Sequence, residues 1–353
     1  MSRFIQLHIL TSYPPANLNR DDNGRPKTAK MGGADRLRIS SQCIKRTWRT
    51  SDQFQHSMQG RLGTRTKMLG VEIYRSLIDG GIGDKQALVW SQSIAGQFGK
   101  FKKGEKDNPL IGLEIEQLVH VSAAEKKAID VLAQRLITER RAPEKEELEL
   151  LRAEEQAVDI ALFGRMLASK TAHNVEAACQ VAHPISVHSV TIEDDYFTAV
   201  DDLNDTSEDV GAAHIGETGF AAGLFYSYIC INKEQLIDNL GGNKALADRA
   251  VAALTEAALK ESPHGKQNSF GSRAYASYVL AESGDQTPRS LAVAFLKPIG
   301  RQAGDYGLAA VSALEQQLDG FDKVYGKCAD ARYSMNAFNG NGRMDELLAF
   351  VSE

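Results

Sequence analysis

Residues 18–49 read LNRDDNGRPKTAKMGGADRLRISSQCIKRTWR, and the reading of this stretch decides both the fold and the chemistry. It holds nine basic residues (Arg20, Arg25, Lys27, Lys30, Arg36, Arg38, Lys45, Arg46, Arg49) against Asp21, Asp22 and Asp35. That local +6 sits in a chain whose net charge is −5, so the remainder carries about −11. A cationic patch on an otherwise acidic protein attracts polyanions locally, whatever the total charge. Its second half predicts a helix over roughly 41–51, capped by Ser40 or Ser41. On that helix Ile44 and Trp48 turn inward, while Lys45 and Arg49 share another face with Arg46 beside them. Serine hydroxyls, unpaired N–H groups and basic side chains one and two turns on make an anion cradle. A solvated amphipathic helix is the plainer reading of the same pattern.

Upstream, residues 3–10 alternate Ile5, Leu7 and Ile9 with Gln6 and His8, which predicts a half-buried strand. Between strand and helix, residues 11–35 carry Pro14-Pro15, Asn23-Gly24, Pro26 and Gly32-Gly33, the breakers of a long loop. Downstream, 58–175 turns helical, with charged helical stretches at 123–142 and 144–169 split by Pro143. Strand-like sequence returns at 185–190, 197–200 and 219–231. A helix interrupted at Gly241-Gly242 covers 234–259, and 268–281 reads as a strand or strand pair. The segments 288–297, 308–318 and 344–351 read as helical. With the helical block set aside, the order fits an α+β, βαβ-βαβ ferredoxin-like core of the RNA-recognition-motif kind.

Residues 201–216, DDLNDTSEDVGAAHIG, are polar and predict a projecting hairpin or loop. Between Lys170 and Lys233 there is no Lys or Arg, while Glu193, Asp194, Asp195, Asp201, Asp202, Asp205, Glu208 and Asp209 crowd the middle. An acidic prominence and a basic patch on one chain suit head-to-tail association, although the acids could equally just solubilise a loop.

Composition narrows the function. No apolar run approaches the ~20 residues of a membrane span, and the N-terminus runs straight into a strand pattern. Cys43, Cys179, Cys230 and Cys328 are scattered without CxxC spacing, which suggests reduced thiols in a cytoplasm and no zinc site. His183 and His188 would face opposite sides of a strand, so no metal or cofactor is expected. GxSxG, HExxH, Walker A and GxGxxG signatures are absent. Asp21-Asp22 and Asp201-Asp202 are weak metal signals, since adjacent loop carboxylates more often serve turns. Three features instead favour single-stranded nucleic acid: the basic arm, the apolar Phe197, Val200, His214 and Ile215 around the projecting loop, and Gly164-Arg165-Met166 closing a helix.

The pattern LNRDDxxxxKxAxxGGxxRxRISSQxxKR over 18–46 resembles the CasC-type backbone subunit of the type I-E CRISPR surveillance complex, Cascade. The likeness continues through VDIALFGRM (158–166), DDYFTAVDDL (194–203), AHIG (213–216), GLFYSYICINKEQLIDNLGG (223–242) and PHGKQ (263–267). It implies an RRM-like palm (1–57 and 180–353), a helical finger insertion (58–179) and a thumb hairpin (194–219). Copies would stack head to tail along one CRISPR RNA, beside other Cascade subunits, and the presented bases would pair with target DNA. The resemblance implies that Arg20, Lys27, Ser40, Gln42, Lys45, Arg46 and Arg49 hold the RNA backbone. It also implies that Met166, next to Arg165, packs at a kinked base, and that Phe197, Val200, His214 and Ile215 form the thumb wedge. Members of this subtype are not nucleases, so no catalytic residue is expected. A metal-dependent ribonuclease using Asp21 or Asp22, or an enzyme taking a small phosphorylated substrate, are the alternatives.

Overall fold

The computed structural model describes residues 2–105, 108–151, 157–168, 170–199 and 214–353. In chain order its elements begin with β1 (Phe4–Ala16), β2 (Thr28–Met31), β3 (Ala34–Leu37), α1 (Ser41–Arg49), α2 (Asp52–Ser57) and β4 (Thr64–Thr66). There follow α3 (Leu69–Asp79), α4 (Asp84–Ala95), β5 (Val119–Val121), α5 (Ala123–Glu139) and α6 (Val158–Phe163). Next come β6 (Cys179–Val181), β7 (Ile185–Ser186), β8 (Glu193–Ala199) and β9 (His214–Asn232). The chain ends with α7 (Lys233–Asn239), α8 (Lys244–Lys260), α9 (Gln267–Phe270), β10 (Ala276–Gly284), α10 (Tyr306–Tyr325), β11 (Ala331–Asn336) and α11 (Met344–Ser352). It divides into two compact units, one of residues 1–54, 181–230 and 251–353, the other of 55–180 and 231–250.

The first unit is α+β. Its strands hydrogen-bond in the order β11-β10-β1-β9, and β7 and β8 also pair with β9. Taken as β10-β1-β9-β7, with α1 following β1 and α8 following β9, this is a split βαβ core to which β11 adds an edge strand. β1 and β10 run antiparallel from Phe4 opposite Gly284 to Thr11 opposite Ala276, with a register shift after Leu10. Leu10, Leu224, Tyr226, Tyr278 and Leu280 on one sheet face meet Leu291, Phe295 and the α10 residues Ala310, Val311, Leu314 and Leu318.

Because β1 lies inside the sheet and both its faces are covered, the expected half-buried strand is buried on both sides. Gln6 and His8, expected to face water, are interior. His8 Nδ1 is 2.9 Å from Tyr226 Oη and its Nε2 is 3.1 Å from Glu282. Arg289 donates two hydrogen bonds to that carboxylate at 2.7 and 2.9 Å, and Arg332 adds a third at 2.9 Å. Burial opposes ionisation of Glu282, but hydrogen bonds from His8 and Arg289 outweigh it and hold the carboxyl down at about 2. Burial also pushes the His8 imidazole below its ordinary value.

Both shifts destabilise the fold in acid. A depressed carboxyl contributes stability that is complete above its ordinary value near 4.5 and is lost as pH falls towards about 2. The depressed His8 adds a loss of the same sign, beginning as pH drops below its ordinary 6.5. Denaturant midpoints measured from pH 7 to pH 3 should therefore fall steadily, and more steeply below 4.5. A Glu282→Gln protein should start lower and show a shallower acid slope; an unchanged slope would contradict this assignment.

Five further expectations are corrected. The long loop at 11–35 is largely structured: β1 runs on through Pro14-Pro15 to Ala16, and β2 and β3 form a hairpin. Gly32 and Gly33 turn it with φ of 60° and 77°, and a Cβ on Gly32 would lie 1.6 Å from the Leu296 carbonyl oxygen. The stretch 144–169 is not one long helix; its described residues hold a 3-10 turn at Glu146–Leu148 and the short α6. Residues 268–281 combine α9 with β10, and 288–297 contains only a 3-10 turn, Ala292–Phe295. Finally, β11 pairs with β10 from Asn336 opposite Tyr278 to Ala331 opposite Ser283, where the sequence pattern predicts no strand.

The second unit is mainly helical. Leu69, Ile73 and Leu77 of α3, Ala87, Trp90 and Ile94 of α4, and Ile129, Leu132 and Leu136 of α5 build its core. A small β4–β5 ladder supplies Val119 and Val121 to that core. Among the described residues no helix is long and apolar enough to cross a membrane.

Candidate nucleic-acid interface

The basic arm is built by backbone ties at three successive residues. Arg38 N donates to Lys27 O at 2.8 Å, Ile39 N to Pro184 O at 3.0 Å, and Ser40 N to Asn19 Oδ1 at 2.9 Å. Turn 20–26 is closed by its own side chain. Asp21 Oδ1 accepts from Asn23 N and Arg25 N, both at 2.9 Å, and Asn17 Nδ2 donates to Gly24 O at 2.8 Å. Asp21 is therefore committed to a turn, and no His/Cys/Asp/Glu group suited to a metal occurs among the described residues.

Directly after the three ties, α1 begins. Ser40 is its N-cap, its Oγ accepting from Cys43 N at 3.3 Å. Ile44, Thr47 and Trp48 are buried, so the helix is fixed by its apolar edge. Gln42 and Arg46 are exposed, and Lys45 and Arg49 are half-buried on the flank. Arg20 is exposed on the turn and Lys27 half-buried behind it. Burial raises the Cys43 thiol, while Lys27 and Arg46 pull it the other way, which places both cations in electrostatic reach of the first turn of α1. Arg20, Lys27, Ser40, Gln42, Lys45, Arg46 and Arg49 thus lie along one arm and one short helix, a set of cations and polar groups of the kind that suits contacts to phosphate rather than to bases.

Not every cation of the stretch belongs to that surface. Arg36 is interior, donating from Nη1 to Ser186 O and from Nη2 to Phe295 O, each at 2.8 Å. It staples the hairpin to the core. Arg25 is paired with Asp194 of β8 at 2.8 Å. Charge counting could not separate these two from the rest, because sequence does not say which way a side chain turns.

Arg165 requires a correction. Expected at the RNA, it is buried and paired with Glu125 at 2.7 Å, and Nη1 also reaches His120 O at 3.3 Å. Gly164 (φ 81°) ends α6, and the next residues are extended, with Arg165 bridged to Val175. Extended backbone alternates its side chains: Arg165 and Leu167 turn inward and Met166 outward, 85% exposed. Met166 is thus an exposed apolar side chain, whereas its neighbour Arg165 is interior.

β8 and β9 form the stem of the acidic hairpin, from Glu193 opposite Phe220 to Ala199 opposite His214. Phe197 faces Gly216, where a Cβ would meet its ring at 2.3 Å, so the ring lies across the glycine and stays 43% exposed. Val200 and the hairpin 203–213 lie outside the described residues, as do the side chains of His214 and Ile215. Tyr196, 65% exposed on the other side of the stem, was missed, although it follows from strand alternation beside Phe197. Arg38 and His183 were also missed: Arg38 Nη1 is 3.0 Å from His183 Nδ1. His188 is engaged elsewhere, its Nε2 accepting from Leu224 N at 3.2 Å, so the two histidines do not converge.

Solved structures resemble the whole chain, two of them as follows. A chain of a "CRISPR RNA-guided surveillance complex, pre-nicking" is 27% identical, with 99% of this chain and 100% of that one covered, at a TM-score of 0.84. A chain of a "CRISPR RNA-guided surveillance complex" is 23% identical, with 98% and 99% covered, at a TM-score of 0.74, and bears on the fold alone. No curated protein matches the chain. A family model described as CT1975-like protein matches residues 5–346, and the chain belongs to that family.

Proposed function

We propose that this chain is the repeated backbone subunit of a type I-E-like RNA-guided surveillance complex. It holds the phosphate backbone of CRISPR RNA and leaves the bases free to pair with target DNA. The observation that carries the reading is the arm 18–49, where a hydrogen-bonded frame brings exposed Arg20 and Arg46 together with half-buried Lys27, Lys45 and Arg49. Phosphate contacts fix position without sequence preference, as a subunit that must accept any guide requires. Met166 and Phe197 supply exposed apolar groups able to press against an unstacked base. We read 1–57 and 180–353 as palm, 58–179 as finger and 194–219 as thumb. The acidic stem, with Glu193, Asp195 and Glu217 exposed, would meet the basic arm of the next copy. The subunit is non-catalytic in this reading, works in the cytoplasm and assembles with further Cascade subunits.

Size-exclusion chromatography with light scattering tests this. With single-stranded RNA of increasing length, the mass should rise in steps of one subunit. Failure to bind RNA, both alone and when co-expressed with the other Cascade subunits, would sink the proposal.

A further inference from the structure

Lys27, Arg38 and His183 converge on one side of the β3–α1 junction. The backbone hydrogen bond from Arg38 N to Lys27 O holds the two cations' backbones together, and Arg38 Nη1 lies 3.0 Å from His183 Nδ1. A guanidinium only donates, so Nδ1 accepts, the ring is neutral, and its proton sits on Nε2. Burial, then Arg38 and Lys27, push this imidazole below its ordinary value. Those two cations are the charged groups that face it, and neither has a carboxylate partner among the described residues. The next Pro184 carbonyl is tied to Ile39 N, so His183 is carried on backbone anchored to the same frame. His183 itself is exposed and within reach of a ligand.

We propose that Lys27, Arg38 and His183 together hold one phosphodiester of the bound RNA, which adds Arg38 and His183 to the interface and makes binding proton-linked. This rests on the RNA-binding reading above. An anion between the two cations offsets their share of the downward push on His183, so binding favours its protonation. Once protonated, Nδ1 no longer accepts from Arg38, and imidazolium, guanidinium and ammonium can all donate to phosphate oxygens. By linkage, RNA affinity rises as pH falls through the range between the bound and the free imidazole values, by at most about tenfold per pH unit for one proton.

The test is fluorescence anisotropy of the full chain with a labelled homopolymeric RNA, at constant ionic strength, from pH 8 to pH 5.5. The unaltered protein should bind more tightly as pH falls. His183→Gln should lose the pH slope, so that its deficit against the unaltered protein is largest at pH 5.5. Arg38→Gln should weaken binding and lower the log–log salt slope by less than about 0.7, the share of one single-strand phosphate, because Lys27 still meets that phosphate. Inorganic phosphate should compete only at concentrations far above those of RNA. Competition at equal phosphate concentration would mean a site for free phosphate and overturn the inference. A pH slope that survives His183→Gln would overturn it alone, whereas absence of RNA binding at every pH would overturn the functional reading with it.

Discussion

Replacing Lys45 and Arg49 together with alanine should flatten the salt dependence of RNA binding by about 1.4 log–log units, ~0.7 for each single-strand phosphate that no longer meets a cation. Affinity should fall alike on every homopolymer, because contacts to phosphate carry no base preference. The fold should survive: alanine favours a helix, and α1 is held by Ile44, Thr47 and Trp48, which remain in place. In a filament every copy repeats the deficit, so the effect on assembled particles should exceed that on one subunit. An unchanged slope with a well-folded double variant would remove Lys45 and Arg49 from the interface.

The second large effect concerns stability. Glu125→Ala leaves the Arg165 guanidinium buried without its carboxylate, which should cost about 3–5 kcal/mol. Glu125 also accepts from Ser122 N at 2.8 Å in the capping box of α5, so part of that loss comes from the cap. Glu125→Gln combined with Arg165→Met keeps a capping side chain and removes both charges. It should therefore recover part of the loss, and a double-mutant cycle in denaturant measures how much. If Arg165 were a contact to RNA, Arg165→Met would instead weaken binding and leave the unfolding midpoint where it was.

Much of this was legible because it rests on local rules. Ser40, Ile44 and Trp48 define α1 by cap and spacing, and Gly241-Gly242 stops α7 before α8 begins. Phe197, flanking a polar loop, is exposed as that position suggests, whereas Met166 taken alone reads as a core methionine and is 85% exposed. What failed depends on distant parts of the chain. Gln6 and His8 look like surface residues until Glu282, Arg289 and Tyr226 arrive from more than 200 positions away. Arg36 and Arg165 look like interface cations until Ser186 and Glu125 are seen to hold them. Pro14-Pro15 reads as a break, yet the outer part of β1 tolerates it. The charged run after Pro143 reads as helix, but Glu147 is drawn into bonds with Arg135 and Arg141 and the backbone turns instead.

The three backbone ties at Arg38, Ile39 and Ser40 have a consequence for the energetics of recognition. A flexible basic tail must give up conformational freedom each time it meets a polyanion, at about 1–2 kcal/mol per residue fixed. Here the arm is ordered as the domain folds, so that entropy is already surrendered before a ligand approaches. Preorganisation of this kind lets modest phosphate contacts yield useful affinity and keeps every copy in the same geometry. In the proposed reading, successive copies would then engage a long strand at a constant interval by independent, identical events.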